Sequence, residues 1–223
     1  MFNSPVAYIV MVVFTALAAY FFTNTFFLAG QSDLRTLFEI IPLIYIIVIP
    51  AITMGLIAKE KNSGTIEILA TLPLTDVQIV IGKYLAALSL IGFALLFTLV
   101  HFITLLFVGN SIDIGAIITG YLGLIFVAGV YTAVGVFGSA ITANQIVSFI
   151  VSILIILIFF LLDKILYFVP AALTSLFQFI SIDYHLSNIS RGVLDTRNLI
   201  YFGSVITLFL LLSVRILEIR KWR

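Results

Sequence analysis

Six apolar runs alternate with shorter polar breaks along this chain, at about residues 5–28, 37–58, 79–108, 115–139, 146–162 and 199–217. Each approaches or exceeds the roughly 20 residues that a helix needs to cross a bilayer. The pattern predicts an all-α polytopic membrane protein with six transmembrane helices in a single domain, 1–223. Pro5 is placed for a helix start. Pro42 and Pro50 predict a kinked or broken second span. In the fourth run Gly115, Thr119 and Gly123 recur at every fourth position, as do Gly135 and Ser139. Small residues at that spacing let helix backbones approach closely, so this span is expected in the interior. A cleaved signal peptide is the rival reading of the first run, because Ala16-Leu17-Ala18 is small-x-small. No basic residue precedes that run, however, and apolar residues continue to Leu28, which favours a span.

The longest polar interruption between long runs, Lys59 to Lys83, has its own design. Gly64 is a candidate N-cap for a short helix over Thr65 to Leu72, with Ile66, Leu69 and Leu72 at three-residue spacing and Glu67 and Thr71 on another side. Pro73 ends it, because proline lacks the backbone donor and clashes with the preceding turn. Thr75 and Gln78 have capping-box spacing, and Leu74 and Ile79 sit where a hydrophobic staple packs, so a second helix restarts there. The apolar stripe either enters a groove on a partner or rests on the membrane surface. Residues 163–198 form the other long mixed segment. Pro170 can open a helix with Leu173, Leu176, Phe177 and Ile180 on one face, and Asp183 to Leu194 groups Leu186, Ile189 and Val193. Such helices lie at an interface or dip into it. They read either as a lid over an exit path or as an amphipathic connector.

Composition agrees with the pattern: 63% of the 223 residues are hydrophobic, 9% are charged, and mean hydropathy is +1.29. A soluble domain has about 25% charged residues. The net charge of +1 gives no reason to expect nucleic acid as a partner. Without cysteine there are no disulfides, thiol nucleophiles or Cys-ligated metals, and two histidines far apart in sequence suggest no metal site. Basic residues set the orientation. With the N-terminus inside, Lys59, Lys61, Lys83, Arg215, Arg220, Lys221 and Arg223 are cytoplasmic, and Arg35, Lys164, Arg191 and Arg197 are external. Seven against four predicts N-in and C-in, with the 59–78 segment inside the cell and 163–198 outside. Trp222 would anchor the last span at the inner interface.

Pro50-Ala51-Ile52-Thr53-Met54, Ala58-Lys59-Glu60-Lys61, Gly64-Thr65-Ile66-Glu67-Ile68-Leu69, Pro73 and Ile81-Gly82-Lys83 together resemble the signature of ABC-2 type permeases, the membrane subunits of ATP-binding-cassette exporters. Ser4-Pro5-Val6-Ala7-Tyr8, Thr142-Ala143-Asn144-Gln145-Ile146, Arg191-Gly192-Val193-Leu194-Asp195-Thr196-Arg197 and Leu217-Glu218-Ile219-Arg220-Lys221-Trp222 resemble its gliding-motility-associated branch. The chain departs from the family pattern at Gly55 and at Lys59-Glu60, where relatives often carry a basic residue and two acids. The resemblance implies a six-helix half of a transporter in a bacterial plasma membrane, working with an ATP-binding subunit on a separate chain and a second permease, identical or related. It implies that the short helix between spans two and three is the coupling helix, which assigns Thr65, Ile66, Glu67, Leu69 and Leu72 to contact with the ATPase. It also implies that spans two and five line the translocation path, with Pro50, Thr53, Ser148 and Ser152 as candidate lining residues. The chain has no G-x-x-x-x-G-K-[ST] phosphate loop, so no cofactor is expected on it, and ATP with Mg²⁺ belongs to the partner.

Individual polar residues each have a plainer reading. His101, inside the third span, is a functional candidate or a neutral histidine bonded to a neighbouring helix. Glu39 reads as an interface carboxylate, Glu67 as an orienting charge, and Asp195 as the cap of the last helix. An intramembrane lipid-modifying enzyme or protease is the rival from another class. It would need converging acids, a metal cluster or a nucleophile–base pair at bilayer depth, whereas these carboxylates lie at the ends of spans. A membrane scaffold without a transport cycle would leave the 59–83 design unexplained, and a secondary transporter would show midplane charges or paired repeats.

Overall fold

In hydrocarbon a backbone must satisfy its own N–H and C=O groups, and a helix does so within one segment. The computed structural model describes residues 5–28, 30, 33–67, 73–109, 112–165 and 170–220. Among these residues all regular structure is helical, and six helices are long and apolar enough to cross a membrane.

Helix α1, Pro5–Thr23, runs into a π-helical turn, Asn24–Leu28. There Asn24 Nδ2 and Thr25 Oγ1 donate to carbonyls four residues back, at 3.1 and 2.9 Å, a competition that loosens helical turns. Helix α2, Arg35–Thr53, carries Pro42 and Pro50. It stops at Thr53, crosses a turn at 54–57 and resumes as α3, Ala58–Asn62. Helix α4, Asp76–Val108, has 33 residues. At 1.5 Å per residue it is about 50 Å long, well beyond a ~30 Å hydrocarbon layer. Asp113 caps α5, Ile114–Ile141, by accepting from Ala116 N at 3.1 Å. Asn144 Oδ1 accepts from Ile146 N at 2.9 Å at the start of α6, Gln145–Ile165.

Helix α5 is the hub. In its most apolar window 78% of residues are buried inside the chain, against 17% to 50% for the other five spans, and it packs on α2, α4 and α6 as well as on the elements that follow. The glycines explain how. A Cβ at Gly120 would fall 2.2 Å from the Phe38 ring, one at Gly135 2.1 Å from Thr53 Oγ1, and one at Gly138 2.2 Å from Ser152 Oγ. The expected interior position of this span is therefore correct. Of the small residues singled out by spacing, Gly123, Gly135 and Ser139 touch other elements, but so do Gly120, Gly129 and Gly138.

Beyond α6 lie two short helices, α7 (Ala171–Ile180) and α8 (Ile182–Ser190), and the last span, α9 (Thr196–Arg220). Ser181 joins the short pair, and its hydroxyl accepts from Tyr184 N at 3.3 Å as the cap of α8. Helix α8 packs along α5. Gly192 lies against Ala116 near the first turn of α5, and Leu186 and Ile189 cover Gly123. The Tyr201 hydroxyl donates to Ile180 O at 2.5 Å, and the neighbouring Phe202 stacks on Phe126. Ala116 to Phe126 is about 15 Å of helix, so the α7–α8 turn sits that far below the end of α5. Lys164 at the end of α6 bonds Asp183 of α8 at 2.7 Å and closes this side.

Candidate functional site

The break between α2 and α3 is an elbow with definite causes. Pro50 leaves Ile46 O, one turn back, without its intrahelical donor, and α2 itself ends at Thr53. Two backbone donors at the start of α3 and one acceptor at the end of α2 are then left without intrahelical partners. A single hydroxyl from α5 serves all three. Ser139 Oγ accepts from Ile57 N and Ala58 N, both at 2.9 Å, and donates to Met54 O at 3.0 Å. Lys61 of α3 donates to Ala140 O, the next carbonyl along α5. From the other flank Lys83 of α4 donates to Leu56 O at 2.6 Å and pairs with Glu60 Oε1 at 2.5 Å. The elbow is thus held between two spans, with a cleft lined by Met54, Asn62 and the 143–146 turn beside it.

Gly64, at φ 70°, takes the left-handed conformation that ends α3, which costs glycine little because it has no Cβ. Glu67 N then donates to Gly64 O at 3.2 Å, opening a helical turn at 65–67. Thr65 and Glu67 are exposed there, whereas Ile66 is 6% exposed and buried in the chain's own core. The first residue of the apolar stripe is therefore occupied internally. Leu69 and Leu72 lie outside the described residues. The capping box that restarts the chain is present: Gln78 N donates to Thr75 Oγ1 at 3.3 Å and Thr75 N to Gln78 Oε1 at 2.9 Å.

One turn deeper, Pro50, Thr53, Ser148 and Ser152 are all buried. Thr53 bonds Ile49 O at 2.9 Å and presses on Gly135; Ser152 bonds Ser148 O at 2.8 Å and presses on Gly138. The structure brings these residues to one level of the bundle, on two flanks of α5. They fill helix contacts there, with Thr53, Ser148 and Ser152 at 0% exposure.

The family described as ABC-2 family transporter protein matches residues 4–217, nearly the whole chain. The chain belongs to that family. No curated protein matches it. As an ABC-2 family member it is a multi-pass membrane protein, the transmembrane permease component of an ABC transporter rather than its ATPase.

The other polar residues singled out in this ABC-2 permease lie away from the elbow. His101 Nδ1 meets Thr98 O of its own helix at 2.9 Å, with the ring edge on Phe22, so its partner is not on the neighbouring helix that the sequence suggests. Glu39 is exposed, and Asp195 Oδ1 accepts from Arg197 N at 2.9 Å at the start of α9, as a cap should. His185 is buried, stacked on Tyr201 with ring centroids 4.0 Å apart, and its nitrogens meet Asn198 Oδ1 at 2.7 Å and Phe179 O at 3.0 Å. Among the described residues no group of three or more His, Asp or Glu side chains is placed to hold a metal.

Sequence reasoning missed the contacts that hold the elbow in this permease. Ser139 reads as one more small packing residue, because its three backbone partners are 81 to 85 positions away. The Glu60–Lys83 pair was detectable only as two opposite charges flanking the polar interruption.

Proposed function

We propose that this chain is the membrane subunit of an ATP-driven exporter, related to the gliding-motility-associated permeases, in a bacterial plasma membrane. Both termini lie in the cytoplasm, and the 59–78 segment faces a separate ATP-binding subunit that carries ATP and Mg²⁺. Residues Thr65, Ile66, Glu67, Leu69 and Leu72 form the coupling helix. A second permease, a copy or a relative, completes the path. What carries the reading is the elbow: a broken helix braced by two spans that presents Thr65 and Glu67 outward. A polar loop without a partner needs no such bracing.

On this reading α2 and α6 face the partner half. Pro50, Thr53, Ser148 and Ser152 reach the path when these helices part from α5, and the contacts with Gly135 and Gly138 correspond to a closed state. The α7–α8 pair is the lid at the outer end.

The coupling role is tested with Leu69→Asp, which places a charge in the stripe. Full burial of one such side chain contributes about 1.5–3 kcal/mol, so its loss weakens docking roughly tenfold or more. We expect correct insertion with loss of ATPase co-purification and of permease-stimulated ATP hydrolysis. Unchanged values in a correctly inserted variant would refute the coupling role.

A further inference from the structure

Movement of the coupling segment has to reach the closed contacts around Thr53 and Ser152, and the obvious route is along α2, the helix that precedes the segment in sequence. The hydrogen bonds indicate another. Between α2 and α3 the chain has left the helix: within the turn Met54 N bonds Pro50 O at 2.8 Å and Leu56 N bonds Thr53 O at 3.0 Å, while Met54 O and Leu56 O take their donors from Ser139 and Lys83. A push on α3 therefore meets an interrupted helical ladder before it meets α2. To α5, in contrast, α3 is fastened at both ends: Ile57 and Ala58 bond Ser139 Oγ at its start, and Lys61 bonds Ala140 O near its end.

We propose that Ser139 is the positioning residue that passes the stroke of the coupling segment to the central helix α5. A hydroxyl has one proton and two acceptor sites, and all three of Ser139's are engaged with the elbow, so the joint cannot slide without breaking several bonds together. The residues that contact the closed path follow directly along the same helix. Gly138, against Ser152, is the adjacent residue, and Gly135, against Thr53, is one turn away. A displacement of Ser139 thus reaches both flanks within a single rigid turn, α6 through Gly138 and α2 through Gly135. The inference rests on the reading that the 65–72 segment docks on the ATPase.

The experiment uses the full permease–ATPase complex with a reporter, Ser152→Cys, whose maleimide labelling is compared with and without ATP–vanadate. Two readouts separate the claims. Co-purification of the ATPase tests the docking reading; if the parent complex does not form, that reading falls and this inference with it. Nucleotide-dependent labelling tests the joint. Ser139→Ala should keep the ATPase bound and lose at least about fivefold of the nucleotide-dependent change in labelling, the low end of ordinary coupling between sites. Ser139→Thr, which keeps the hydroxyl, should restore it, a rescue that mere packing volume would not produce. Should Ser139→Ala fail to insert, Lys61→Met removes the second fastening without touching the buried corner and should show the same loss. Full nucleotide-dependent labelling in a variant lacking either fastening, with the ATPase bound, would overturn the proposal.

Discussion

Gly135→Ala adds one methyl group where α5 meets α2. Its Cβ would lie 2.1 Å from Thr53 Oγ1, 2.8 Å from Thr53 Cβ and 3.1 Å from Thr53 Cγ2. Ordinary carbon contacts begin near 3.5 Å, so α2 must retreat by about 1 Å or Thr53 must turn. Turning is opposed: the hydroxyl bonds Ile49 O at 2.9 Å, and a β-branched side chain in a helix has few alternative rotamers. Overpacking of this kind costs about 1–3 kcal/mol, and the better helix propensity of alanine offsets at most about 1 kcal/mol. A net loss of up to about 3 kcal/mol corresponds to a fall of up to roughly 12 °C in a chain of this size. Gly92→Ala is the matched control, since nothing lies within 4 Å of a Cβ there; it should leave the melting temperature unchanged or raise it. The assay is thermal loss of monodisperse protein in detergent. Thr53→Ala in the Gly135→Ala background should recover most of the stability. If Gly135→Ala melts at or above the parent, or Gly92→Ala falls as far, the close contact is wrong.

Two further outcomes are expected. Lys83→Met leaves the half-buried Glu60 carboxylate without its ammonium partner, so it should lower thermal stability, and Glu60→Gln in that background should restore part of it. Strict additivity of the two changes in a double-mutant cycle would show that the pair is not coupled. His185→Ala removes the bonds to Asn198 and Phe179 O and the stack on Tyr201, so the α7–α8 pair should open more readily, by about 1–3 kcal/mol. Hydrogen exchange over residues 171–190 should rise while that of α5 stays constant; equal protection in both proteins would contradict this account.

The sequence alone was sufficient for whatever depends on neighbours within a turn or two. Apolar length dictates spans, because a bilayer leaves the backbone no other way to bond. Proline at 50 predicts trouble in the second span, and Thr75 with Gln78 predicts the restart, because both effects act over three or four residues. Asp195 is legible as a cap for the same reason. Which partner each helix meets was not legible. Glycines at fourfold spacing indicate close approach without saying to what, and it is the packing of α2, α6 and α8 around one helix that gives Gly135, Gly138 and Gly123 different partners. Ile66 illustrates the limit most plainly. Its spacing places it on an apolar stripe, but whether that stripe meets another subunit or the chain's own core depends on how the elbow is turned. That turn is set by Ser139, Ala140 and Lys83, residues brought from other helices, whose bonds to the elbow no local pattern encodes.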